Sequence, residues 1–445
     1  MNLKLFGTNG IRGIPNEDLT SNFSMDVGKA ISTFFYTEKI AIAKDTRISG
    51  DMILTSVVSG VNSTGTDMIY LGILPTPALQ YYCKIHKIPG IMITASHNPP
   101  QYNGIKAIDG DGTEIDEEKE AKIEDIIFGK KFRTVPWDSI GKYYDDNTAV
   151  DLYVNSIAKR IDYKTIQKKK LSVAIDTGNG ASYFTSPLLL SRLNCHIVSL
   201  NSNPDGKFSS RNSEPKPENL ADLISLMKTG KFDIGIAHDG DADRCVFIDE
   251  SGNYVDGDKS LALITKYTIK ENDTVVTPVS SSDALSDICL EKKARLIITR
   301  VGAPIVARSM IENNATVGGE ENGGFIYGKH QYFRDGAMTM ALMLNLLSGE
   351  NKKLSELLGE IPDYKMVKTS VKRNKEWAET KDIITDKFKE NKMNFLDGIK
   401  IYEDGGWVLI RPSGTEKIIR IFSESRSQEI AEKINEKYYN FLNNL

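Results

Sequence analysis

Cysteine is scarce and scattered: the 445-residue chain has 4, Cys83, Cys195, Cys245 and Cys289, with no Cys-x-x-Cys pair among them. That argues against a disulfide framework and against a cysteine zinc site, and a reducing cytoplasm is the compartment expected. A surplus of positive charge is lacking as well. Lys+Arg total 56 against Asp+Glu 60, for a net charge of −4 and a pI near 5.9. No global field exists to hold DNA, RNA or an anionic membrane, so an anionic ligand has to meet a local basic cluster. No uncharged apolar run approaches bilayer length, and the opening Met1 to Gly7 has no apolar h-region. Neither a membrane span nor export by a classical signal is expected. Low-complexity segments and short-period repeats are also missing.

What is present is the material of a soluble multidomain protein. Hydrophobic residues make up 40% and charged residues 26%, enough for several packed cores. At roughly 150 residues per domain the length suggests about three units. Short β-branched runs, Gly- or Asp-containing turns and amphipathic helical stretches recur in that order, which is α/β organisation. Strands are expected at Ile40–Ala43, Met68–Leu71, Ile91–Thr94, Leu171–Ile175, Phe232–Ala237, Thr274–Thr277 and Arg295–Thr299, with helices near 51–64, 148–162 and from about 304. Leu220, Leu223, Ile224 and Met227 mark a helix stopped by Gly230, Gly318-Gly319 reads as a turn, and a last helix presents Ile430, Ile434, Tyr438, Phe441 and Leu442.

Four segments carry chemistry. Asp239-Gly240-Asp241-Ala242-Asp243-Arg244 follows an expected strand, and three alternating carboxylates on one tight loop repel unless a cation neutralises them. An all-oxygen set suits Mg²⁺. A calcium EF-hand does not fit, because its invariant sixth-position glycine would be Arg244. In Thr94-Ala95-Ser96-His97-Asn98-Pro99-Pro100, Ser96 at a strand end is a nucleophile, a phosphate carrier or an N-cap. A Ser-His-Asp hydrolase is weaker, since the surroundings are not a G-x-S-x-G elbow and adjacent His97 is as readily structural. Arg411-Pro412-Ser413-Gly414-Thr415-Glu416, with Arg420 beyond, combines small residues and guanidinium groups in the manner of a phosphate cradle, or of a simple hairpin turn. Gly318-Gly319-Glu320-Glu321-Asn322-Gly323-Gly324 presents two carboxylates and an amide suited to sugar hydroxyls, although glycine-rich loops are common.

In order and separation these four segments resemble the α-D-phosphohexomutases. The opening Phe6-Gly7-Thr8-Asn9-Gly10-Ile11-Arg12-Gly13 is similar to phosphoglucosamine mutases and their archaeal relatives. The likeness extends to Asp45-Thr46-Arg47, Pro75-Thr76-Pro77, Asp176-Thr177-Gly178-Asn179-Gly180, Pro204-Asp205-Gly206 and Arg334-Asp335-Gly336, and so covers essentially the whole chain. It implies three similar α/β mixed-sheet domains (1–150 with a phosphoserine loop, 151–252 with a metal loop, 253–365 with a sugar loop) and a smaller α+β C-terminal domain (366–445) with a phosphate loop, around a central cleft. It further implies that Ser96 carries a phosphate that joins Asp239, Asp241 and Asp243 around one Mg²⁺. Arg12 and Arg244 would then neutralise the transferring phosphoryl group and Lys106 would handle a proton, its pKa lowered by nearby cations. Glu320 and Asn322 would hold the sugar, and Arg411, Ser413, Gly414, Thr415 and Arg420 the distal phosphate.

The implied reaction interconverts hexose 6-phosphate and hexose 1-phosphate through a bisphosphorylated sugar, with sugar 1,6-bisphosphate as activator. Glucosamine 6-phosphate is the leading substrate, with phosphomannomutase/phosphoglucomutase activity as runner-up. The partners implied are a phosphosugar and, for the chain itself, a monomer or homodimer. Two departures stand out: bacterial relatives often have histidine where this chain has Gly324, and some where it has Ala303. A Mg²⁺-dependent phosphatase using an aspartyl phosphate and a non-catalytic sugar-phosphate sensor are the competing classes.

Overall fold

The computed structural model describes residues 5–7, 10–413 and 417–445. Among these residues the chain forms four sheets, each from its own stretch of sequence. The first runs, in spatial order, Ile11–Gly13, Asn103–Ile108, Gly90–Ile93, Lys39–Lys44, Asp67–Ile73, Tyr143–Asp145. The last four are parallel and the first two antiparallel to their neighbours. Continuous apolar runs such as Ile40-Ala41-Ile42-Ala43 are buried on both faces, as strands covered by helices on each side must be. The charged stretch after Ile115 is a helix, Glu117–Gly129. Asp116 caps it by accepting from Lys119 N at 2.9 Å, and Glu117, Glu118 and Glu120 suit the positive end of its dipole.

The second sheet runs Tyr254–Val255, Cys245–Ile248, Ile234–His238, Ser172–Asp176, His196–Leu200, and the third Arg295–Thr299, Thr274–Pro278, Val317–Glu320, Gly324–Tyr327. All three repeat one device, in which a parallel strand turns back into an antiparallel neighbour: Gly90–Ile93 into Asn103–Ile108, Ile234–His238 into Cys245–Ile248, Val317–Glu320 into Gly324–Tyr327. The three connecting loops therefore leave from the carboxyl ends of parallel strands, where α/β sheets place their ligands. The fourth sheet, Lys365–Lys372, Ile418–Ser425, Gly406–Pro412, Ile399–Glu403, Met393–Asn394, is antiparallel throughout.

One apolar cluster runs from Ala41 and Leu79 through Ile175 and Phe247 to Val275 and Leu347, so the first three units share a core. At its centre the helix Gly336–Glu350 is buried nearly all round, as an apolar helix with no polar face must be. The C-terminal sheet has its own core around Ile384, Ile401, Ile421 and Tyr438, and meets the third unit through Val279, Trp407, Leu409 and Phe422. No helix among the described residues is long and apolar enough to cross a membrane.

Three local expectations need correction. Gly318 and Gly319 lie in the strand Val317–Glu320, and the turn follows at 321–323, where Gly323 has φ +88. The Gly318 position is glycine because a Cβ there would sit 2.3 Å from Met310 Sδ. The helix expected over 148–162 ends at Ala158, and a second, Tyr163–Lys169, follows it. On the last helix, Gln428–Asn443, Ile430 is 37% exposed while Ala431 and Asn435 are buried, because Asn435 Nδ2 donates to Val367 O across the sheet.

Candidate active site

Ser96 begins the loop after Gly90–Ile93 in the left-handed region, φ 51, a strained conformation for a residue with a Cβ. Buried interactions hold it there. Arg47, 1% exposed, donates from Nη2 to Ser96 O at 2.8 Å and Asn98 O at 2.7 Å. Its Nη1 donates to Pro99 O at 2.7 Å and Tyr102 O at 2.8 Å, and its Nε donates to Asp45 Oδ2 at 3.0 Å. A planar five-donor group thus fixes the loop by its carbonyls. Arg47→Lys is expected to destabilise the protein by about 2–3 kcal/mol, since one ammonium leaves several of these buried oxygens unpaired. Urea unfolding checks this, and an unchanged midpoint contradicts it.

The strain turns the side chain toward the second unit. Ser96 Oγ donates to Asp239 Oδ2 at 2.9 Å, joining residues 143 positions apart. Gly240 permits the approach, for a Cβ there would lie 2.5 Å from Ser96 O. Ala242, at φ 54, bends the loop so that ligand oxygens of Asp239, Asp241 and Asp243 lie within 4.8 Å of one another, all buried. Asp241 Oδ2 accepts from Thr76 Oγ1 at 2.7 Å and from Lys106 Nζ at 3.0 Å. Asp241 Oδ1 and Asp243 Oδ1 are buried with no hydrogen-bond partner among the described residues. Burial, then the charges of Asp243 and Asp241, push the Asp239 carboxyl above the usual carboxylate range. A loop that concentrates this much negative charge and leaves two oxygens unpaired can hold a metal ion.

Cations surround these carboxylates. Arg12 donates from Nη1 to Asn98 Oδ1 at 2.6 Å, and Arg244 N donates to Asp239 Oδ1 at 3.2 Å. Arg244 Nε stands 3.8 Å from Asp243 Oδ1. Lys106 corrects an expectation: burial alone would lower its pKa, but Asp241, Glu114 and Asp243 outweigh it and raise the value. The neighbours that count are anions, so Lys106 holds its proton. His97 Nδ1 is 3.5 Å from Ser96 Oγ and 3.1 Å from Arg244 Nη2. The Arg244 charge, then burial, push His97 down to about 2, so it is neutral and engaged with Arg244. With the Nδ1 that faces Ser96 taken by Arg244 Nη2, the ring is not placed as the base of a Ser-His-Asp hydrolase.

In the third unit Glu320 is buried and accepts from Arg334 Nη1 at 2.9 Å, while Asn322 Oδ1 accepts from Gly324 N at 3.1 Å and so shapes the turn. Glu321 faces elsewhere, accepting from Ser280 Oγ at 3.0 Å. In the fourth sheet Arg411 and Arg420 are cross-strand partners, and Arg411 Nη2 is 3.3 Å from Asp397 Oδ2. Ser413 is buried next to them, its N–H donating to Ile418 O at 3.0 Å. Gly414 and Thr415 lie outside the described residues. The geometry brings Ser96, the three aspartates, Arg12, Arg244 and Lys106 together, with Glu320 linked to them through Arg334.

Residues 3–134, 151–252 and 256–364 match alpha/beta/alpha domains I, II and III of the family described as phosphoglucomutase/phosphomannomutase, and 366–440 match its C-terminal domain. The chain belongs to the phosphoglucomutase/phosphomannomutase family. It is a phosphohexomutase, an isomerase. A phosphoglucomutase/phosphomannomutase of Thermococcus kodakarensis is 43% identical over 96% of each chain. A phosphoglucosamine/phosphogalactosamine mutase of Sulfurisphaera tokodaii is 40% identical over 97% of each. A phosphoglucomutase/phosphomannomutase family protein from Burkholderia thailandensis superposes with TM-score 0.87 at 25% identity, covering 98% of this chain and 96% of that one.

Thr76, Glu114 and Arg334 touch this constellation, yet no role for them was read from the sequence. Thr76 and Arg334 lie in Pro75-Thr76-Pro77 and Arg334-Asp335-Gly336, which show family likeness and no chemistry of their own. Their contacts span 165 and 91 residues, so local spacing carries no sign of them.

Proposed function

We propose that the chain moves a phosphoryl group between O6 and O1 of a hexose through a phosphate carried on Ser96. The observation that carries this is Ser96 Oγ hydrogen-bonded at 2.9 Å to a buried triad of carboxylates from another domain. A phosphorylated Ser96 delivers its phosphoryl group to the free hydroxyl of a monophosphosugar. The P–Oγ bond breaks, a P–O bond to the sugar forms, the hydroxyl proton leaves and Ser96 Oγ regains one. The bisphosphorylated sugar turns over, and its original phosphate returns to Ser96. Sugar 1,6-bisphosphate is the activator, since it charges an unphosphorylated serine.

Asp239, Asp241 and Asp243 would hold Mg²⁺, which when bound neutralises charge on the transferring phosphoryl oxygens. Arg12 and Arg244 add fixed positive charge, and Lys106, protonated at the start, gives up its proton in the first transfer and recovers it in the second. Glu320 and Asn322 orient the sugar, and Arg411, Ser413, Gly414, Thr415 and Arg420 grip whichever phosphate is not reacting. A cradle in a domain with its own core, joined to the third unit by a small apolar cluster, suits a ligand that must be released enough to turn over.

Glucosamine 6-phosphate is the substrate proposed. An ammonium at carbon 2 facing Glu320 gains a charge-assisted hydrogen bond worth about 1.5–3 kcal/mol, hence roughly tenfold or more in preference. The relatives named phosphoglucosamine mutase, one of them from Methanocaldococcus jannaschii at 36% identity over 98% of this chain and 97% of that one, support it. Arg334 already neutralises part of Glu320, which favours mannose or glucose 6-phosphate as the second reading, in line with the name of the Thermococcus kodakarensis relative. Side-by-side kcat/KM on glucosamine, mannose and glucose 6-phosphates tests this. The amino sugar is expected to lead, and a value well below the other two reverses the order.

A further inference from the structure

Arg334 is only 7% exposed, and its guanidinium joins loops from two domains. Nη2 donates to Asp243 Oδ2, and Nη1 donates to Glu320 Oε2 at 2.9 Å. The path of the side chain is left open by a glycine. A Cβ on Gly324 would lie 2.3 Å from Arg334 Cδ and 3.2 Å from its Cγ, closer than non-bonded carbons approach. Gly324 has no left-handed φ, so its backbone does not call for glycine; the space for Arg334 does.

The next residue anchors the base of this side chain. Asp335 accepts from the Tyr153 hydroxyl, from Gln331 Nε2 and, at 3.0 Å, from Met338 N, while its own N–H donates to Phe325 O at 3.1 Å. Arg334 is thus aimed by contacts to a helix of the neighbouring unit, to its own loop, to the following helix and to the strand beginning at Gly324.

We propose that Arg334 is a positioning residue that couples the carboxylate loop to the sugar loop, holding Glu320 in place for the sugar while sharing Asp243 with the cation, and that Gly324 is the opening this coupling requires. The proposal deepens the phosphosugar reading and rests on it. Glu320 is buried, which raises its pKa, and Arg334 is the main influence opposing that rise. Without the arginine, Glu320 is a buried acid that has lost its main counter-charge and keeps only the weaker influence of Arg244, so it is inclined to keep its proton and turn from acceptor to donor toward a sugar hydroxyl. Asp243 uses only Oδ2 on Arg334, and its Oδ1 remains free of hydrogen bonds among the described residues. The Arg334 guanidinium on the other oxygen of this carboxylate weakens cation binding electrostatically, so its two effects have opposite signs: it supports the sugar and competes with the metal.

That opposition supplies the test. Metal-stripped Arg334→Ala is expected to bind Mg²⁺ about tenfold tighter by titration calorimetry, because one positive charge has left the site. Its kcat/KM on the preferred sugar phosphate falls about 100-fold, mostly through KM. Gly324→Ala reproduces both changes by displacing the arginine, and Gly324→Ala/Arg334→Ala is no worse than Arg334→Ala alone. Weaker Mg²⁺ binding in Arg334→Ala, or a loss from Gly324→Ala that adds fully to that of Arg334→Ala, overturns the proposal. Where Arg334→Ala does not fold, Arg334→Lys keeps the charge without the fork. It is expected to leave the Mg²⁺ constant within about threefold of wild type and to lower kcat/KM about tenfold, and wild-type kcat/KM overturns the proposal. A wild type with no mutase turnover counts against the phosphosugar reading, whereas the magnesium titration of Arg334→Ala needs no turnover and tests Arg334 separately.

Discussion

Ser96→Ala is expected to lower turnover by roughly 10⁴-fold or more, the scale of losing the nucleophile in a covalent mechanism. Alanine removes one oxygen and nothing else. The backbone at φ 51 remains held by the carbonyl contacts to Arg47, and the lost hydrogen bond to Asp239 costs about 1 kcal/mol of stability. The variant should therefore unfold at nearly the wild-type temperature while failing to interconvert sugar phosphates, even with a catalytic amount of sugar bisphosphate. Wild-type activity in such a preparation shows that the phosphoryl group travels by another route.

Removal of divalent cation has the second largest effect expected. Chelation should stop turnover and added Mg²⁺ restore it, because three buried carboxylates with oxygens within 4.8 Å of one another repel an incoming phosphate. Asp241→Asn probes the same centre covalently. It removes the nearer counter-charge of buried Lys106, whose Nζ lies 3.0 Å from Asp241 Oδ2 and 3.6 Å from Glu114 Oε1, and losing such a partner costs up to about 3 kcal/mol. Thermal unfolding should fall accordingly, and Mg²⁺ should no longer restore wild-type turnover at any concentration. Undiminished turnover in chelator contradicts the role given to the carboxylates.

The contrast between the carboxylate loop and Arg334 shows what was legible in the sequence. Asp239, Asp241 and Asp243 lie within five residues, so their mutual repulsion is evident from spacing alone. The strand Lys39–Lys44 announces itself by the unbroken apolar run Ile40 to Ala43, which burial on both faces explains, and Thr274–Pro278 by its β-branched Thr274-Val275-Val276-Thr277. The raised pKa of Lys106 is not legible in the sequence, because the charges that decide it come from Asp241, 135 residues away, and from Glu114. Gly318 and Gly319 suggested a turn because glycine is permissive of turns, whereas Gly318 is required by the Met310 side chain packed on a strand. Gly324 raised the question of a missing side chain, and the answer, Arg334 lying in that space, depends on a contact no linear pattern contains.

The central claim, that a phosphoryl group is carried by Ser96 and passed to a sugar, is tested most directly by intact-mass and peptide mass spectrometry of the wild-type protein before and after exposure to sugar 1,6-bisphosphate. One phosphoryl group on the peptide containing Ser96, discharged when hexose monophosphate is added as bisphosphate forms, is the result predicted. A phosphoryl group found on the Asp239 loop instead, or a Ser96 phosphate that added monophosphate does not discharge, would contradict it.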